Sequence, residues 1–190
     1  HAWTQPAGQP LSVAAMQGNV PQNLKWDPAQ LRAQLARYRE MTLQAERSDL
    51  VVWPETAVPV LLEHAQDYVN EVAGHLAQRD STLITGVPVR QANEQGEQRY
   101  YNGVIAAGDG EGLYLKQKLV PFGEYVPLQE VLRGLIAFFN LPMSDFARGP
   151  AGQPLLQAQG YRVAPYICYE VVYPEFAASL AADSQILLTI

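Results

Sequence analysis

The sequence predicts an α/β layered fold, and three observations carry that expectation. Short apolar runs of strand length alternate with segments of helical periodicity. A glycine-rich turn, Gly108-Asp109-Gly110-Glu111-Gly112, separates two strand-like runs and marks an antiparallel hairpin. The chain has 190 residues, 48% of them apolar and 17% charged, which suits one domain with a sizeable buried core and argues against intrinsic disorder. No internal repeat or domain boundary interrupts it.

The elements follow in order. Leu11 to Gln17 reads as a first buried strand. Asp27 can cap a helix whose first position suits Pro28, and Leu31, Leu35, Tyr38, Thr42 and Ala45 carry its stripe to about Arg47. Leu50 to Trp53 is a short apolar strand ended by Pro54. A helix from about Leu61 to Ala77 precedes a strand from Ser81 to Val87, and the polar run Arg90 to Arg99 reads as a solvated loop. Tyr101 to Ala107 and Gly112 to Leu119 form the hairpin. Leu128, Val131, Leu132, Leu135, Ile136 and Phe139 lie on one face of an amphipathic helix, followed by an irregular stretch from Asn140 to Gly160. Tyr161 to Ile167 is a strand leading into Cys168, Tyr173 to Ala182 a helix, and Gln185 to Ile190 a last strand that stops in mid-flow. That ending, and an opening at His1-Ala2-Trp3, suggest a piece of a longer chain.

Composition narrows the chemistry. A net charge of −6 disfavours nucleic-acid binding and a polybasic membrane anchor. No apolar run approaches the roughly 18 residues of a membrane helix. One cysteine excludes an intrachain disulfide framework, and the three histidines lack metal-ligand spacing. Cys168 on its own reads first as a small buried hydrophobe. Its place after an apolar strand is, however, where α/β sheets collect site residues. His64 and His75 both fall within a helix, so a carboxylate is the better base, and Glu55, just past the Leu50–Trp53 strand, is best placed. Alone, Glu55 would read as a loop acid or helix cap. Only three lysines occur, Lys25, Lys116 and Lys118. The last two lie in the hairpin, where edge-strand protection is the bland alternative.

In order and context, Glu55, Lys116 and Cys168 resemble the Glu-Lys-Cys triad of the nitrilase (carbon–nitrogen hydrolase) superfamily. Within it, the chain looks most like the extramembrane domain of the bacterial apolipoprotein N-acyltransferase family. The motifs are Trp53-Pro54-Glu55-Thr56-Ala57, Tyr114-Leu115-Lys116 followed by Leu119 to Pro127, and Ile167-Cys168-Tyr169-Glu170. Gln17 to Asp27 and Leu141 to Met143 add to the likeness, which covers nearly the whole chain from about Leu11.

The resemblance implies a nitrilase-like αββα sandwich, incomplete at the C-terminus. Residues 1–10 would be a linker from a preceding membrane segment, and residues 11–190 a truncated catalytic domain. Glu55 would be the general base, Lys116 the oxyanion stabiliser together with the Tyr169 N–H, and Cys168 the nucleophile of a ping-pong acyl transfer. Glu124 and Glu170 resemble further carboxylates of the site, Asn102 a supporting residue, and Trp26 a substrate contact. For Glu170 a plain helix-start acid is the alternative, and Lys118 reads as structural. An unperturbed Glu near pKa ~4.3 is a poor base for a thiol near ~8.5, so the site must bring the two closer.

The donor would be a phospholipid and the acceptor the N-terminal amine of a diacylglyceryl-cysteine apolipoprotein. No metal or organic cofactor is required and no nucleic acid is involved. Membrane association would come from segments outside this chain, placing the domain on the periplasmic side of the bacterial inner membrane. The Leu128–Phe139 helix could be a lid facing the bilayer, or ordinary core. A soluble amidase acting on a small C–N bond is the rival reading.

Overall fold

Two parallel strand pairs of apolar residues organise the fold. The computed structural model describes residue 5 and residues 8–21, 24–93, 95–120 and 146–190. Strand β1 (Val13–Ala15) pairs in parallel with β2 (Leu50–Val52), which pairs in parallel with β3 (Thr82–Ala92). Each parallel step needs a crossover. The first is α1 (Pro28–Gln44) and the second α2 (Leu62–Ala77). Asp27 caps α1 by accepting from the Ala29 amide at 2.9 Å, and Pro28 opens it. β3 then turns back into β4 (Gln98–Gly108), and β6 (Leu113–Leu115) closes this five-stranded sheet.

The second sheet has the order β5 (Gly110–Glu111), β7 (Leu156–Ala158), β8 (Tyr161–Tyr166), β9 (Ile186–Thr189). Its β8 and β9 run parallel, joined through a 3-10 turn at Cys168–Val172 and helix α3 (Pro174–Ala181).

Burial defines the layers. Tyr38 of α1 and Val69, Val72 and Leu76 of α2 pack on Val51, Leu83, Val87 and Ile105 of the first sheet. The other face of that sheet, through Leu50, Val52, Ile84, Val104 and Tyr114, packs on Leu156, Val163 and Ile167 of the second. Helix α3 lies against β8: the Tyr166 hydroxyl donates to Ala177 O at 2.8 Å, and the Phe176 ring meets Tyr166 edge-on at 6.5 Å. The arrangement is helices, sheet, sheet, helix. No helix among the described residues is long and apolar enough to cross a membrane.

Three expectations are corrected. The first strand is short and lies at a sheet edge, with Val13 56% exposed, because β2 alone pairs with it. Both ends of the polar run Arg90–Arg99 are strand and only its middle is a turn: β3 and β4 pair over 11 residues, from Thr82↔Gly108 to Ala92↔Gln98. Its outer residues are polar because that end of the ribbon stands in solvent, where the Asn93 side chain takes the Gln95 and Glu97 amides and shapes the turn. Within the glycine-rich turn, Gly110–Glu111 leaves the hairpin and pairs with β7 in the other sheet. The amphipathic helix Leu128–Phe139, the segment Leu141–Met143 and Glu124 lie outside the described residues.

Trp53 anchors the end of β2. It is fully buried, donates from Nε1 to Thr42 Oγ1 at 3.0 Å, and sits against Tyr38 and Tyr68. The chain then turns at Pro54–Ala57, with Thr56 at φ +50°, directly over Gly86 of β3. A Cβ on Gly86 would overlap Thr56 N and the Glu55 backbone. Gly86→Ala should therefore destabilise the full-length protein by about 1–3 kcal/mol and displace Glu55. A thermal melt checks it, and an unchanged melting temperature would show that the turn yields freely.

Candidate active site

The site forms where strands of both sheets end. Glu55 follows β2, Lys116 follows β6, Asn102 lies within β4, and Cys168 follows β8. Glu55 Oε1 accepts from Asn102 Nδ2 at 2.7 Å and faces Lys116 Nζ at 3.3 Å. The Lys116 side chain is 1% exposed and that of Glu55 27%, so the pair is sealed on the lysine side and open on the carboxylate side. A buried ammonium is tolerated only with such partners. Main-chain bonds fix the lysine in place: Lys116 N donates to Asn102 O at 2.8 Å and Gly149 N donates to Lys116 O at 2.8 Å. The Gln153 side chain pairs with both main-chain groups of Leu115, each at 2.8 Å.

Cys168 is exposed and has φ +53°. A non-glycine residue in the left-handed region costs of order 1 kcal/mol or more and persists only where its surroundings hold it. Here Cys168 N donates to Ile190 O at 2.6 Å, and the turn after it is held by Glu170. Glu170 is fully buried. Its carboxylate accepts from Ile167 N at 2.9 Å, Gln117 N at 2.7 Å, Lys118 N at 3.0 Å and the Tyr114 hydroxyl at 3.0 Å. Burial pushes this carboxyl above the ordinary range, and the three amides and the hydroxyl oppose that rise. The same burial, with Glu170 alongside, pushes the Tyr114 phenol up.

The structure thus joins Glu55, Lys116 and Asn102 directly. Through Glu170 it ties the Cys168 turn to the two residues after Lys116. Tyr169 projects outward, 56% exposed, edge-on to Tyr173 at 6.3 Å. Trp26 is half-buried in the turn before α1. Lys118 lies over the rings of Phe176 and Tyr173, at 5.3 and 5.8 Å. His64 pairs with Glu63 at 3.5 Å and, like His75, is exposed on α2. Among the described residues no group of His, Cys, Asp and Glu is gathered to hold a metal ion.

Sequence reasoning passed over two contributors. Gln153 gave no signal, since one glutamine in a Gly/Pro-rich stretch looks like any other. Lys25 gave one, as one of three lysines, and its Nζ donates to Glu55 O at 2.8 Å.

An acid held by a lysine and an amide, with a strand-end cysteine tied to the lysine's segment through Glu170, is a layout for acyl chemistry through a thiol. The chain belongs to the carbon–nitrogen hydrolase family, whose sequence profile matches residues 12–190. Its relatives include the apolipoprotein N-acyltransferases of Azotobacter vinelandii, 71% identical over 100% of this chain, and Pseudomonas putida, 67% identical over 100%. That of Shewanella oneidensis is 37% identical over 98% of the chain. The chain spans 37% of the length of the first two and 38% of the third. Among solved structures, a mutant of an amidase of the nitrilase superfamily from Nesterenkonia AN1 superposes with a TM-score of 0.59 at 19% identity, over 97% of this chain and 66% of that one. A carbon–nitrogen hydrolase from Helicobacter pylori gives 0.58 at 17% identity, over 94% and 59%. These establish an α/β nitrilase-superfamily fold, of which the chain covers part.

Glu170→Gln tests the tie between the two halves of the site. Either orientation of the amide turns an NH2 toward a main-chain N–H, and a buried donor left unsatisfied costs about 1–3 kcal/mol. The full-length variant should melt at lower temperature. An unchanged melt would mean that the carboxylate is a bystander.

Proposed function

We propose that this chain is the catalytic part of a membrane-bound N-acyltransferase that matures bacterial lipoproteins. The observation that carries the reading is the buried Lys116 paired with Glu55 and Asn102, its strand end tied through Glu170 to a strand-end cysteine in a left-handed turn. The 64–71% identity to several apolipoprotein N-acyltransferases supports the choice of reaction.

In the first half-reaction Cys168 Sγ attacks the ester carbonyl of a glycerophospholipid as its proton passes to Glu55. Lys116 and the Tyr169 N–H stabilise the oxyanion. The C–O bond breaks, Glu55 returns the proton to the leaving alkoxide, and a lysophospholipid departs. In the second, the neutral amine of the diacylglyceryl-cysteine attacks the thioester. Its proton goes to Glu55, the C–S bond breaks, and the thiolate is reprotonated as the amide product forms. Two moderate steps replace one difficult one. Glu170 holds the nucleophile turn, Asn102 orients Glu55, and Glu124 and Trp26 serve as a further carboxylate and a substrate contact. Residues 11–190 form the catalytic domain and residues 1–10 its linker. The domain stands on the periplasmic side of the inner membrane, held there by segments outside this chain.

Intact-mass spectrometry of the full-length membrane protein, incubated with phospholipid vesicles and no acceptor, tests this. One acyl group should be gained, released by hydroxylamine and absent in Cys168→Ala. A folded protein that takes no acyl group, or keeps one in the variant, would sink the thioester route and favour hydrolysis of a small amide.

A further inference from the structure

Two ammonium groups stand at Glu55. Lys116 neutralises its carboxylate, whereas Lys25 reaches only its main-chain oxygen, at 2.8 Å. Among the described residues, Lys25 Nζ makes that single hydrogen bond and no carboxylate lies within ion-pair distance of it. An ammonium has three protons to donate, so two face elsewhere. The lysine is nonetheless held in place. The carboxamide of Gln34, only 6% exposed, donates to Leu24 O at 3.0 Å and to Lys25 O at 3.4 Å, fixing the backbone from which the side chain springs.

Lys25 and Glu55 share the lining of a cavity of about 240 Å³, with Gln17, Asn19, Gln34 and Tyr38. That is smaller than the roughly 300–1,000 Å³ of pockets that enclose a whole drug-sized ligand. It suits the polar piece of a larger molecule whose remainder lies outside. Burial draws the Lys25 pKa down, while Glu55 and Cys168 draw it up, so the amine sits within electrostatic reach of both reacting groups. Lys25 therefore brings to the cavity wall an ammonium whose own bond goes to a main-chain oxygen and whose remaining protons suit a strong acceptor such as a phosphate oxygen.

We propose that Lys25 and this cavity form a phosphodiester-binding subsite that seats the headgroup phosphate of the acyl donor and so presents its ester carbonyl to Cys168. The proposal rests on the acyl-transfer reading above. Its ligand class is a phosphate monoanion carried on glycerol.

The test uses the full-length protein in bilayers and two acyl donors, a glycerophospholipid and a phosphate-free aryl ester of the same acid, with Cys168 acylation read by intact mass. Lys25→Met should slow acylation by the phospholipid about 10- to 100-fold, the loss of one charged hydrogen bond, and slow the aryl ester much less. Lys25→Arg should recover most of the phospholipid rate. Glycerophosphoethanolamine, a soluble headgroup probe, should compete with the aryl ester on the unaltered enzyme and lose that effect in Lys25→Met. Equal slowing with both donors would overturn the subsite and make Lys25 a prop for Glu55. No slowing, or no competition on the unaltered enzyme, would overturn it as well. If the unaltered enzyme takes its acyl group from the aryl ester but never from phospholipid, the acyl-transfer reading fails and the subsite's role in it fails too. Competition by the headgroup probe then reports separately whether the cavity binds phosphodiesters.

Discussion

The Glu170 carboxylate is the interaction on which the site depends. Cys168 belongs to the second sheet and Lys116 to the first, and the sheets meet through apolar side chains that set a distance but no fine register. One carboxylate supplies the register. It accepts from Ile167, just before the cysteine, and from Gln117 and Lys118, just after the lysine, with Tyr114 of β6 closing the set. Apolar packing tolerates sliding and volume-conserving exchange. Four buried hydrogen bonds to one anion do not, since a misplaced donor goes unsatisfied at a cost of about 1–3 kcal/mol. Burial weakens the ionised form of this acid and the donors restore it, so the acid and the geometry support each other.

The Glu55–Lys116 pair obeys a different constraint. Lys116 is sealed, and its ammonium would be costly without Glu55. Glu55 must stay partly open if it is to exchange protons with anything that binds. Asn102 reconciles these demands. It holds Glu55 Oε1 from the closed side, so the carboxylate is oriented without being enclosed. Its main-chain carbonyl meanwhile accepts from the Lys116 main-chain N–H, so one residue of β4 positions both members of the pair.

The sequence was most legible where local chemistry and tertiary role coincide. Asp27-Pro28 starts a helix wherever it sits, and Trp53-Pro54-Glu55 reads as a strand end because proline stops the ladder. The inner parts of β3 and β4 were legible as the strands Ser81–Val87 and Tyr101–Ala107, but the outer end of their ribbon was not, because Arg90, Gln91 and Arg99 stand in solvent there and carry no apolar alternation. A polar ribbon is held by backbone bonds, which leave no mark on composition. Glu55, Lys116, Cys168 and Asn102 could be nominated from their motifs. The web around them could not, because Gln153 and Gln34 act by bonding to backbone atoms and any residue type may present those.

Among the described residues five that are not glycine have left-handed φ, Asn19, Thr56, Asp80, Gln159 and Cys168, and two of them, Thr56 and Cys168, stand next to or at a candidate site residue. Each follows a strand that ends abruptly, β2 at Pro54 and β8 before Cys168, and at such a point an extended chain must reverse within one or two residues. A left-handed residue makes that reversal and lifts the neighbouring side chain out of the sheet. Glycine would do so without strain, but it would also let the turn relax when no substrate is bound. The strained residue, clamped by Gly86 packing in one case and by Glu170 in the other, has fewer conformations open to it. Stability surrendered at these turns is thereby converted into orientation, which is what the proposed reaction asks of an acid and a thiol that come from different sheets and must address one carbonyl carbon.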